Sequence, residues 1–184
     1  MRPTITDIGV YGGGFFDAFD PRPEDITIEA IAHALSLTCR WGGHCKNFYS
    51  VAQHSVEVAA MLPPNLALQG LLHDAAEAYI GDVPRPIKHK MKMFVECEEQ
   101  ILRVIWDKFG LKDHEIMHPS VHEADEIMLN FEASNLLDEN KWAKNPFPGF
   151  HLIPWSSDVA ESAFLETYRK LTNESTDRRR HTSI

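Results

Sequence analysis

Residues 66–79 constrain this chain more than any other stretch. They are apolar on nearly every face, yet they contain His73-Asp74-Ala75-Ala76-Glu77. A segment apolar all round predicts a helix buried on all sides, started by Pro63-Pro64-Asn65 and ended at Gly81. An ionised carboxylate in such an interior costs several kcal/mol even after relaxation, so two of them require compensating charge. A divalent cation supplies it. Successive side chains on a helix point about 100° apart, so His73 and Asp74 can share one ion while Glu77, one turn on, faces the space beside it.

The same contradiction recurs twice. Helical spacing places Asp125 between Val121 and Met128-Leu129 on a face expected to be buried, and His54 falls among Val51, Val58 and Met61. A single histidine on an apolar face is usually a satisfied core residue. Four ligand-type side chains on three inward faces are a different matter, and His54, His73, Asp74 and Asp125 are the candidate metal ligands.

Elsewhere the periodicity is helical. From Asp25 the residues Ile28, Ile31, Ala32 and Leu35 share a face, and the pattern fails at Trp41-Gly42-Gly43. Ser50-Val51-Ala52-Gln53 and Ser120-Val121-His122-Glu123 have the form of capping boxes, each opening a helix. A long amphipathic helix is expected over 87–109, with Met91, Phe94, Val95, Ile101, Leu102, Ile105 and Trp106 inward, and a last helix over 157–171 with Val159, Phe164 and Tyr168 inward. Before Asp25, the glycines Gly12-Gly13-Gly14 sit in a segment expected to form a short hairpin; no Gly-Lys-Ser/Thr follows them, so a phosphate loop is disfavoured. The expectation is an all-α bundle of about six or seven helices. It divides into an N-terminal extended segment or hairpin (1–24), a helical domain (25–173) and a disordered tail (174–184).

Composition narrows the function classes. The net charge of −9 disfavours broad binding to nucleic-acid polymers, while a small anionic substrate needs only local cations. No apolar run approaches the roughly 20 residues of a membrane span, and Met1-Arg2-Pro3-Thr4 begins no secretory signal, so a cytoplasmic protein is expected. Cys39, Cys45 and Cys97 form an odd set without a Cys-x-x-Cys pair, which argues against a disulfide framework and a cysteine zinc site.

The order His54, His73-Asp74, Asp125 resembles the H…HD…D signature of HD-domain metal-dependent phosphohydrolases. The strings Ser50-Val51-Ala52-Gln53-His54-Ser55 and Leu72-His73-Asp74-Ala75-Ala76-Glu77-Ala78 are similar to that family's own. Gly81-Asp82-Val83-Pro84-Arg85-Pro86-Ile87-Lys88 resembles the segment after the HD helix in its small deoxynucleotide-hydrolysing branch, which holds phage-type dATP triphosphohydrolases and 5′-deoxynucleotidases. The resemblance spans roughly 20–137.

The resemblance implies an HD-type helical fold and His54, His73, Asp74 and Asp125 as ligands of a divalent transition metal. Their N/O chemistry suits Zn, Co, Mn, Fe or Ni without choosing among them. It implies Glu77 as general acid/base and Asp82 as a catalytic group that orients water, touches the sugar or helps hold a second ion beside Glu77. Asp82 has an equal local reading as a turn-initiating residue before Val83-Pro84. Arg40 and Trp41 match an Arg-Trp pair that binds phosphate and packs on deoxyribose, and Lys88 sits where a further phosphate cation would serve. Gly42-Gly43 replaces a bulky residue that helps exclude guanine in the phage-type enzymes, which leaves the base open. His33, His44 and Glu57 are candidates to support the ligand histidines. The implied function is hydrolysis of 2′-deoxynucleotides, a deoxynucleoside triphosphate releasing triphosphate or a monophosphate releasing phosphate. A non-catalytic, metal-stabilised nucleotide sensor is the alternative from another class. Related enzymes are often homo-oligomers, so a homo-oligomer is expected, in host cytoplasm if the source is viral.

Overall fold

Gly12, Gly13 and Gly14 all take positive φ (84°, 92° and 104°), which lets the chain reverse tightly. The reversal pairs β1 (Asp7–Gly9) with β2 (Phe15–Asp17) in an antiparallel hairpin, Ile8 opposite Phe16. Phe16 is fully buried and stacks on Tyr79 with ring centroids 3.9 Å apart, so the hairpin is tied to the helical core by its inward aromatic side chain. The computed structural model describes residues 5–111, 117–138 and 143–181, with 174–181 by backbone alone.

Eight α-helices follow among the described residues: α1 (Ile28–Leu37), α2 (Val51–Ala60), α3 (Ala67–Leu71), α4 (Glu77–Ile80), α5 (Arg85–Lys88), α6 (Lys92–Lys108), α7 (Pro119–Leu136) and α8 (Ser157–His181). The architecture is the expected all-α bundle with an N-terminal hairpin. Helix α8 packs on α1, α2 and α3, while α2 also meets α7. The main core includes Ile31, Leu35, Val51, Leu71, Leu72, Phe164 and, from α6, Ile101 and Ile105, while Val58 of α2 packs with Ala124 and Met128 of α7 in a smaller cluster. None of the described helices is long and apolar enough to cross a membrane.

Several local expectations are corrected. The helix expected over 66–79 is interrupted, with α3 ending at Leu71 and α4 beginning at Glu77. Between them the bonding tightens to Ala75 N donating to Leu72 O (3.3 Å) and Glu77 N to Asp74 O (3.0 Å). Side chains have entered the ladder: His73 Nδ1 donates to Gly70 O at 2.7 Å and Trp106 Nε1 to Leu72 O at 3.1 Å.

The expected helix over 87–109 is also two. Met91 leaves helical geometry (φ −111°, ψ 68°), and Lys88, on the far side of the break, reaches Glu98 on α6 at 2.7 Å. Met91 is exposed rather than inward. Helix α7 begins before Ser120, because His118 caps it, its Nδ1 accepting from Ser120 N at 3.1 Å, with Pro119 in the first turn. On α8 the buried face holds Ala160 and Phe164, and Val159 is half exposed. That helix runs past Leu171 to His181, into the stretch expected as a disordered tail, and no glycine or proline stands there to stop it. Residues 182–184 lie outside the described residues.

Candidate metal centre

Helix α2 supplies the first candidate ligand. Ser50 caps it, Oγ accepting from Gln53 N at 3.1 Å, and so fixes His54 one turn in. Only half of the expected capping box forms. The Gln53 amide instead ties down the segment before α8, accepting from Trp155 N at 2.8 Å and donating to Ile153 O at 2.9 Å. His73 and Asp74 come from the break between α3 and α4, and Asp125 from α7.

These four side chains converge. His54 Nε2 lies 3.2 Å from His73 Nε2, 3.7 Å from Asp74 Oδ2 and 3.2 Å from Asp125 Oδ1. His73 Nε2 lies 3.2 Å from Asp74 Oδ2 and 3.9 Å from Asp125 Oδ1. Ligands held about 2.1 Å from one ion stand about 3.0–3.4 Å apart in octahedral or tetrahedral arrangements. The observed edges are close to that range, and His54, His73 and Asp74 form a group that could hold a metal ion.

The hydrogen atoms strengthen this reading. A carbonyl oxygen only accepts, so His73 Nδ1 carries the hydrogen it gives to Gly70 O. His54 Nδ1 lies 2.5 Å from Glu132 Oε1, and that carboxylate is held below its ordinary range, against burial, by the Arg40 and His54 charges. With both Nδ1 hydrogens committed in this way, each ring turns toward the other, and toward carboxylate oxygens, an Nε2 that is an acceptor unless a proton or a cation occupies it. Acceptors do not face acceptors at this distance without a cation or a proton among them. Burial and Arg40 oppose charge on His54, yet Glu132 and Asp125 outweigh them and push it up to about 9. Asp74 and Asp125 are both held well below the usual carboxylate range, against burial, by the histidines.

Glu132 is the residue that sequence reasoning missed. It is fully buried, and besides His54 its carboxylate accepts from Arg40 Nε at 3.0 Å and Trp41 Nε1 at 3.2 Å. It stands seven residues after Asp125 and four after Met128, on the same face of α7. The spacing that singled out Asp125 singles out Glu132 equally. Two of the three expected supporting residues act elsewhere: Glu57 accepts from Tyr49 and Gln53, and His33 Nδ1 sits 3.0 Å from Glu161 on α8.

Arg40 and Trp41 occupy a turn in which Trp41 takes φ 61°, the one positive φ outside glycine among the described residues. Arg40 is buried, with Nη1 3.5 Å from Asp74 Oδ2. A cavity of about 410 Å³ opens beside the cluster, lined by Arg40, Trp41, Asp74, Glu77, Asp82, Arg85, Lys88 and Asp125 among others. All nine of the expected site residues except His54 and His73 line it; those two form its buried edge with Asp74 and Asp125.

Glu77 is buried, and its Oε2 has no hydrogen-bond partner among the described residues. Burial, Asp74 and Asp82 push it well above the ordinary carboxylate range; burial and Asp74 also raise Asp82, against Arg40. Lys88 Nζ is 3.7 Å from Glu77 Oε1 and 2.7 Å from Glu98 Oε1. Arg85, a second residue the sequence reasoning did not assign, donates to Asp125 Oδ2 at 2.6 Å and pairs with Glu126. Asp125 thus gives one oxygen to the cluster and the other to Arg85.

The chain is 36% identical over 171 residues to an uncharacterized protein of Escherichia coli (strain K12), YfdR, an alignment covering 90% of this chain and 95% of the relative. It is 38% identical over 109 residues to an uncharacterized protein of Rhodobacter capsulatus, covering 54% of this chain and 56% of that one. No family model matches it.

Proposed function

The chain belongs to the family of Escherichia coli YfdR, and we propose that it is a divalent-metal-dependent phosphohydrolase of 2′-deoxynucleotides that releases triphosphate from a deoxynucleoside triphosphate. One observation carries the reading. Two histidine Nε2 atoms and the carboxylates of Asp74 and Asp125 meet at the edge of a cavity that also presents the cations Arg40, Arg85 and Lys88. That combination suits a metal and a phosphate side by side, in a cavity of the size small-molecule sites have.

His54, His73, Asp74 and Asp125 would hold the ion, which in this chemistry polarises phosphoryl oxygens and lowers the pKa of water. Zn, Co, Mn, Fe and Ni all suit these donors. Arg40 and Lys88 bind phosphate oxygens, with Arg85 at the rim. Glu77, which lines the cavity and whose Oε2 has no partner among the described residues, moves the proton of the attacking water to the departing sugar oxygen. Asp82 orients that water, or with Glu77 takes a second ion. Trp41 packs on deoxyribose and crowds a 2′-hydroxyl.

One observation favours cleavage of a monophosphate instead. Lys88 and Arg85 are already paired with Glu98, Asp125 and Glu126, which leaves less positive charge for a polyphosphate. A panel of deoxy- and ribonucleoside mono- and triphosphates with cobalt or manganese separates the two readings. Triphosphate and deoxynucleoside are the expected products, orthophosphate from monophosphates alone selects the second reading, and metal binding with no hydrolysis leaves a nucleotide sensor in place of both.

A further inference from the structure

The Arg40–Trp41 turn is bracketed by two thiols. Cys39 Sγ lies 3.5 Å from Cys45 Sγ, and Cys45 Sγ also donates to the Arg40 carbonyl at 3.7 Å. Both side chains are partly exposed. Backbone contacts hold the two ends of this turn. Cys39 forms an antiparallel bridge with Ser50, Arg40 N donates to Tyr49 O at 2.9 Å, and Lys46 N donates to Leu136 O at 2.8 Å. Between them Trp41, Gly42 and Gly43 run through positive φ (61°, 57° and 80°), and this reversal carries residue 45 back onto residue 39.

We propose that Cys39 and Cys45 form a reversible intramolecular disulfide when the protein meets a low-molecular-weight disulfide, and that this bond locks the Arg40–Trp41 turn. The inference is independent of the reaction proposed above. One thiolate attacks the small disulfide, forming a mixed disulfide and expelling one small thiolate. The second cysteine, on losing its proton, attacks the mixed disulfide at the protein sulfur, closes the Cys39–Cys45 bond and expels the other small thiolate. The protein loses two protons and two electrons, and the small disulfide is reduced to two thiols.

A disulfide is about 2.05 Å long, so the sulfurs must close by about 1.5 Å. That movement is confined to the seven-residue loop that seats Arg40 and Trp41 on Glu132. Cys97 is excluded by place, since it donates to Ala18 O at 3.1 Å beside the hairpin. Burial and the Cys39 thiol push the Cys45 thiol up, so the exchange is slow at neutral pH and quickens as pH rises.

The test is to incubate the full chain with oxidised glutathione, titrate its three thiols and map its peptides without reduction. The expected result is the loss of two thiols, a Cys39–Cys45 cross-linked peptide, slower amide exchange over residues 40–44, and reversal of all three by dithiothreitol. Cys97→Ser should behave identically. The proposal is overturned if three thiols persist, if glutathione stays attached without ring closure, if the bond joins Cys97 or a second chain, or if amide exchange in the turn is unchanged. Cys39→Ser should form no internal bond, and if that variant does not fold, the wild-type peptide map decides.

Discussion

His54 Nδ1 and Glu132 Oε1 lie 2.5 Å apart in the fully buried centre of the protein, and the other oxygen of the same carboxylate receives Arg40 and Trp41. One acid therefore sets the tautomer of a candidate metal ligand and anchors the turn that faces the cavity.

Replacing that acid separates its two roles. Glu132→Gln keeps the shape but weakens the support of His54, and metal affinity should fall by about 10–100-fold, measured by titration of metal-free protein. Glu132→Ala leaves the Arg40 guanidinium buried without its main partner and should cost about 3–5 kcal/mol in denaturant unfolding. Wild-type metal affinity in Glu132→Gln would remove Glu132 from the site.

The stability of metal-free protein should depend on pH with a definite sign. His54 is raised from 6.5 to about 9 by Glu132 and Asp125, which outweigh burial and Arg40. A folded-state value above the unfolded one gives stability that is complete below pH 6.5 and is lost as pH rises toward 9. Thermal melts of metal-free protein should therefore fall across that window. Saturating metal, which replaces the proton on Nε2, should flatten the slope. A metal-free melting temperature that rises over the same window contradicts the assigned hydrogen-bond pattern.

Gly70 is required by close approach. A Cβ there would press on Leu62 and stand 3.3 Å from Ala59 Cα, and its carbonyl already accepts from His73. Gly70→Ala should destabilise the fold by about 1–3 kcal/mol, read by chemical denaturation, with a loss of metal affinity because His73 is displaced. An unchanged variant would mean that α2 and α3 are not packed this tightly.

The rim cations test the length of the phosphate chain. Lys88→Ala and Arg85→Ala should raise KM for a deoxynucleoside triphosphate by about tenfold each, as expected for the loss of a charge-assisted contact of about 1.4 kcal/mol. They should change KM for a monophosphate less. Equal effects on both substrates would favour the monophosphate reading.

Much of this was legible in the sequence because it rested on contradiction: ionisable groups at positions whose neighbours are apolar. That argument brought His54, His73, Asp74 and Asp125 together, and helical periodicity gave the all-α bundle. The same reasoning applied two turns along α7 finds Glu132, which stands one turn from Met128 and one from Leu136 on the helix's buried side. The break at His73-Asp74 was not legible, because it is caused by Trp106, more than thirty residues away, and by the ring of His73 itself. Nor was the early start of α7, since His118 seldom caps a helix and Ser120 offered the commoner signal. Arg85 was hidden by its setting in a proline-rich loop, and only the fold brings it to Asp125.

The most direct measurement of the central claim is the metal stoichiometry of the purified protein, wild type beside Asp74→Ala, by elemental analysis after equilibration with manganese or cobalt and removal of free ion. The account predicts about one tightly held ion per chain in the wild type, allowing for a weaker second ion beside Glu77, and its loss in Asp74→Ala while helical content is retained. A wild type that holds no ion, or an Asp74→Ala variant that holds as much as the wild type, would contradict it.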